Sequence, residues 1–151
     1  MGEDDNASWT AEALRREMVE REAEAAAAEE KREEAEHGRF AAFADDFLLH
    51  HVGPDELKRV RQRVEAAAKQ GEFEALIYSF PSALCSDDGR AINSGEPDWP
   101  ATLQGKAKEM FDIWERHARK MGYRLKAQIV TFPGGIPGDV GFFLNWAPLD
   151  H

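Results

Sequence analysis

The sequence predicts an α+β domain, a three-stranded mixed sheet with helices packed on one face, preceded by a long acidic solvated helix. Three observations carry this. Residues 8–37, "SWTAEALRREMVEREAEAAAAEEKREEAEH", contain no Gly or Pro and are rich in Ala, Glu and Arg. From residue 40, apolar side chains recur first at helical and later at strand spacing, in the order ααβαββ. Gly and Pro punctuate most of the junctions between those segments.

The first segment is helical by propensity, and Glu12–Arg16 and Glu17–Arg21 have the favourable i,i+4 orientation. Its large apolar residues stop early. After Trp9, Leu14, Met18 and Val19 only alanines remain, too little for the a/d seam of a coiled coil. Charge separates this segment from the rest. Residues 1–39 hold thirteen acids against six bases, so −7 of the net −10 sits there. We therefore expect an acidic helical arm over 1–38 and a compact domain over 39–151, with the break at Gly38. The arm is either a solubilising tail or a partner-binding element whose handle is Trp9, Leu14 and Met18.

Phe40, Phe43, Ala44, Phe47, Leu48 and His51 fall on one helical face, with Asp45 and Asp46 on the other. Phe40, Phe43 and Phe47 should dock on the domain or present an apolar stripe to a partner groove. Gly53-Pro54-Asp55-Glu56 reads as a helix start, and Leu57, Val60, Val64 and Ala67 give the helix 54–70 its face before Gly71 stops it. "FEALIYSFP", 73–81, is aromatic and branched enough for a strand. A helix over about 100–121 places Leu103, Ala107, Met110, Phe111, Trp114 and Ala118 at helical spacing. "YRLKAQIVTF" and "DVGFFLNW" alternate as strands around the turn "PGGIPG", with Val140, Phe142, Leu144 and Trp146 sharing a face. A helical crossover makes the first two strands parallel, and the hairpin adds an antiparallel one.

The segment with the densest chemistry is "CSDDGRAINSGEPDWP", 85–100. Cys85, Asp87, Asp88, Arg90, Asn93 and Trp99 form a candidate loop site. Its position after a strand and before a helix suits ligand binding, its length hints at function, and the anchors Leu84, Ile92 and Trp99 favour an ordered loop. Two readings compete there. A catalytic thiol needs a base, and no histidine is adjacent in sequence, so a buried structural cysteine is the better reading of Cys85. Asp87-Asp88-Gly89 likewise fits turn chemistry.

Neighbouring loop carboxylates lack the spacing of a calcium loop, "PGGIPGD" precedes a strand and so lacks the helix of a phosphate cradle, and His50 and His51 point apart. No catalytic residue, metal site or cofactor is expected. A second candidate surface is the outer sheet face, where Arg124 and Lys126 alternate with apolar residues and Phe143 points outward. Tyr78 and Phe80 join it if the register allows. Such a face suits a second copy of the chain or another protein, and less well single-stranded nucleic acid, which the overall acidity opposes.

A single cysteine forms no internal disulfide, the acidic N-terminus has no apolar leader, and no apolar run reaches bilayer length. The expectation is a cytoplasmic, non-enzymatic interaction or regulatory protein with a protein partner and no membrane contact. The alternative is a small-molecule-binding protein or enzyme using the Cys85–Trp99 loop, and the third reading is nucleic-acid binding on the sheet.

Overall fold

A computed structural model of the chain describes residues 9–149. The first eight residues of the expected arm and the last two of the expected domain lie outside the described residues. Two compact units are present, one ending at Phe43 and the other beginning at Ala44.

Helix α1 runs from Ala11 to Leu49. The Thr10 hydroxyl starts it by accepting the Ala13 N–H at 3.1 Å. From Leu14 to Phe40 every residue is exposed, as a helix without an apolar face requires. Helix α1 runs through Gly38 without interruption. Gly38 is exposed, with open space around it, and one glycine costs only about 1 kcal/mol relative to alanine. The flanking Ala, Glu and Arg residues outweigh that cost.

In the second unit, α2 spans Pro54–Lys69 with Gly53 as N-cap, the Glu56 carboxylate accepting the Gly53 N–H at 3.1 Å. Strand β1 is Glu74–Pro81, β2 is Arg124–Ile129 and β3 is Asp139–Asn145. The helix expected over 100–121 is subdivided. A 3-10 turn, Trp99–Thr102, precedes α4, Gly105–Ile113, since α3 is the short helix Arg90–Asn93. After α4 come a π turn, Trp114–Ala118, and a 3-10 turn, Arg119–Met121. The break before α4 has a local cause. Gly105 has φ +54°, and a Cβ there would collide with the Phe47 carbonyl and lie 2.8 Å from its ring. Only glycine lets the backbone approach so closely.

The strand order is β1-β3-β2 with both ladders antiparallel. The α+β class and the three strands are as the pattern predicts, but the sheet is not mixed. β1 and β2 do run the same way, yet β3 lies between them, so no parallel ladder forms. The central place of β3 buries Val140, Gly141, Phe142 and Leu144.

Register then decides the faces. Leu76 pairs with Phe143 and Tyr78 with Phe142, which leaves Ile77 as the extra residue of a bulge. The bulge turns Tyr78 and Phe80 toward the core. Phe80 packs 5.4 Å from both Phe47 and Phe142, and Tyr78 lies 6.3 Å from Phe142. Neither joins the outer face. Phe47, Phe80, Phe142 and Val140 are fully buried, each contributing about 2–3 kcal/mol of apolar burial. Among the described residues no helix is long and apolar enough to cross a membrane.

Candidate functional site

The 85–99 loop is ordered around Asp87. Its carboxylate accepts the Gly89 N–H at 2.9 Å and the Ala91 N–H at 2.8 Å, capping α3. Asp88 and Gly89 both take left-handed φ, +59° and +83°, and a Cβ on Gly89 would meet Ser82 Cβ at 2.9 Å. Asp88, Arg90 and Asn93 are exposed. Cys85 is buried, and burial followed by the Asp87 charge pushes its thiol up to about 11, the opposite of an activated nucleophile. Of the six, Trp99 turns toward an open cavity. Asp87 caps the turn, Cys85 is buried, and Asp88, Arg90 and Asn93 face solvent.

A second polar constellation was not visible in the sequence. Lys106 is only 4 % exposed, and its Nζ donates to Asp46 Oδ2 at 2.7 Å and Glu56 Oε1 at 2.8 Å. Burial by itself lowers the Lys106 pKa, but the two carboxylates outweigh it and the pKa is raised. The Lys106 hydrogen bond holds Asp46 below its ordinary value. Beside them, burial and then the charges of Glu56 and Asp46 push the Tyr78 hydroxyl above its usual range. An ammonium held charged is no amine nucleophile. This triad ties the end of α1, the start of α2 and the start of α4, and its role is structural.

The cavity that Trp99 faces is an open cleft of about 750 Å³. Its walls include Phe111, Trp114, Tyr123 and Leu125, with Pro148 and Leu149 along one side. Trp99 meets Phe111 edge-on at 5.6 Å, and Phe111 lies 5.4 Å from Trp114. The Trp114 indole N–H donates to the Tyr123 carbonyl at 2.9 Å, fixing the ring against the start of β2.

The π turn matters here. Its i→i+5 bond, from the Arg119 N–H to the Trp114 carbonyl, brings residues five apart together. The Arg119 guanidinium accordingly lies 5.9 Å from the Trp114 ring centre, a distance suited to cation–π attraction. Arg124 completes the rim, its Nη2 donating to Asn145 Oδ1 at 2.6 Å and to the Ala147 carbonyl at 2.9 Å. Sequence reasoning assigned Phe111 and Trp114 to a helix core and left Arg119 and Tyr123 aside. The available signal was the crowding of Trp114, Tyr123 and five Lys or Arg residues into 114–126.

The outer sheet face carries Arg124, at the edge of the cleft, with Lys126 and Phe143, as their alternation predicts, but the cations are engaged. Lys126 Nζ lies 2.9 Å from Glu74 and 5.3 Å from the Phe143 ring centre. Beside them the side chains of Leu76, Val130 and Phe143 close over Gly141. On the arm, Trp9, Leu14, Met18 and Phe40 are exposed and Phe43 is half-buried. Phe47 is core, because its ring fills the space over Phe80, and it is not offered to a partner. Among the described residues no group of three or more His, Cys, Asp or Glu side chains is placed to hold a metal ion.

No protein-family model matches this chain, and no significant match is found among curated proteins or solved structures.

Proposed function

We propose that this chain is a non-enzymatic, adaptor-like interaction protein in which the α+β domain engages a protein partner and the acidic helical arm supplies reach and charge. The observation that carries the reading is the aromatic cleft. Trp, Tyr and Arg side chains dominate the energetics of protein interfaces, especially in pockets that exclude water. Here Trp99, Trp114, Tyr123, Arg119 and Arg124 surround one concavity. The arm fits the same reading. Residues 11–43, helical and polar on nearly every side, extend about 50 Å at the α-helical rise, with Trp9, Leu14 and Met18 exposed near the start.

The test is affinity capture from native lysate with four baits: the full chain, residues 39–151, Leu149→Asp and Trp9→Ala/Met18→Ala. A partner held by the full chain and lost with Leu149→Asp makes the cleft the recognition element. One lost only with the arm variants assigns recognition to the arm. Capture identical across all four baits would sink the proposal. A second reading, a small-molecule site in the same cleft with Trp99 as a wall, is favoured by its volume, about 750 Å³, since ligand sites commonly span roughly 300–1,000 Å³. A compound screen read by thermal shift, with Trp99→Leu as control, separates the two.

A further inference from the structure

The cleft differs in charge from the chain that carries it. The protein has a formal net charge of −10, yet residues 114–126 hold five Lys or Arg and the single acid Glu115. Two of these cations, Arg119 and Arg124, line the cleft, and Arg116 and Lys120 sit on the same pair of turns. Lys126, two residues along β2 from Arg124, shares its exposed face but lies outside the cleft lining, paired with Glu74. Along the cleft, then, an aromatic concavity is bordered by two guanidinium groups and one carboxylate, Glu115.

We propose that the cleft receives an acidic peptide segment of a partner protein, an aromatic, aliphatic or proline side chain filling the space between Trp99, Trp114 and Tyr123 while a neighbouring carboxylate meets Arg119 and Arg124. This rests on the reading of the chain as an interaction protein and names the chemistry of what the cleft binds.

Three features support a peptide carboxylate. First, Arg124 is already ordered by its bonds to Asn145 and Ala147, and Arg119 is placed against the Trp114 ring by the π turn. Pre-ordered guanidinium groups lose little freedom when they bind a carboxylate. Second, the Arg119–Glu115 pair is loose, at 3.8 Å with the arginine side chain 66 % exposed, so an incoming carboxylate can replace it at small cost.

Third, the rings are not arranged as a platform for bases. Trp99 and Phe111 meet edge-on, and the Arg119 guanidinium lies over the ring of Trp114. Stacking of successive bases needs open ring faces and a cationic track along the backbone. Arg119 and Arg124 against Glu115 leave the lining one positive charge in excess, which a single carboxylate matches, whereas a long polyanion meets the field of an acidic protein.

The experiment is selection from a display library of random short peptides on the intact full chain. Winning peptides are then resynthesised and titrated by fluorescence anisotropy. The expected winners carry an aromatic, Leu or Pro residue close to Asp or Glu. Their affinity should fall about tenfold in Arg119→Glu, recover most of it in Arg119→Lys, and fall with added salt. Leu149→Asp should also weaken them, and its side chain, 91 % exposed, is not needed for folding.

Winners that depend on Leu149 but show no acidic preference and no response to Arg119→Glu overturn the acidic-peptide inference and leave the interaction reading standing. Winners indifferent to every cleft substitution, or no winners at all, overturn both. A fluorescent oligothymidylate that binds the full chain and displaces the winners overturns the inference in favour of nucleic acid.

Discussion

Lys106 is the residue on which three helices converge, and its chemistry makes a pH-dependent prediction. Replacing it by Met keeps the apolar stem and removes the ammonium from Asp46 and Glu56. Breaking a buried pair commonly costs 3–5 kcal/mol, and with Asp46 open to solvent the expected loss for Lys106→Met is roughly 2–3 kcal/mol in urea unfolding. The two shifts have opposite consequences. Asp46 is held below its ordinary value of 3.8, so its contribution is complete above that value and is lost as pH falls through the lower folded pKa. Lys106 is raised above 10.5, so its contribution is complete below that value and is lost as pH rises through the higher folded pKa. The gap between wild type and Lys106→Met should be widest between these limits and narrow outside them; a gap independent of pH contradicts the ion-pair account. Cys85 offers a second residue-scale check. With its thiol pushed from 9.0 to about 11, its thiolate fraction near pH 8 drops by about 100-fold. Reaction with a disulfide reagent should be at least that much slower in the folded chain than in urea. Equal rates would mean an accessible thiol of ordinary acidity.

At the scale of elements, the 85–99 segment shows how turn chemistry and site chemistry use the same residue types. Asp87 is expected to be the sensitive position. Asp87→Ala removes the acceptor for two backbone N–H groups and should cost about 1–2 kcal/mol, while Arg90→Ala, at an exposed position, should stay within about 0.5 kcal/mol. Equal effects would place the two in one polar network. The sequence suggested both readings of this loop, because Asp, Gly and Asn serve either purpose, and only the bonds from Gly89 and Ala91 choose between them. Helix α1 continues through Gly38 for a related reason. Glycine lowers helix propensity everywhere, but whether a helix ends there depends on the balance with its neighbours. Gly38→Ala should therefore slow amide exchange in the surrounding turns of α1 without moving its ends. The segment from 99 to 121 was legible as helical and apolar. Its division at Gly105 was not, because that requires knowing that Phe47, distant in sequence, packs against the Gly105 backbone. The cleft depends on the same division, since the π turn that aligns Trp114 with Arg119 leaves no pattern that periodicity alone detects.

For the whole molecule, the division into arm and domain makes its own prediction. A chain beginning at residue 39 retains Phe47 and the entire second unit, and its melting temperature should lie within a few degrees of the full chain. A collapse of the transition would show that the arm contributes to folding. The sequence by itself determined that residues 11–37 form a solvated helix, because Ala, Glu and Arg favour the helix and supply no face to bury. It also determined the α+β class, the places of the three strands and the burial of Val140, Phe142 and Leu144, because side-chain period follows directly from backbone geometry. Only the tertiary structure decided that β3 takes the centre of the sheet, since strand order is a choice among pairings that the local pattern leaves equal. It alone decided that Tyr78 faces the core, because a single bulge at Ile77 reverses the alternation. And it alone brought Trp99, Trp114, Tyr123, Arg119 and Arg124 around one cleft, because concavity comes from how separate elements pack and has no period along the chain.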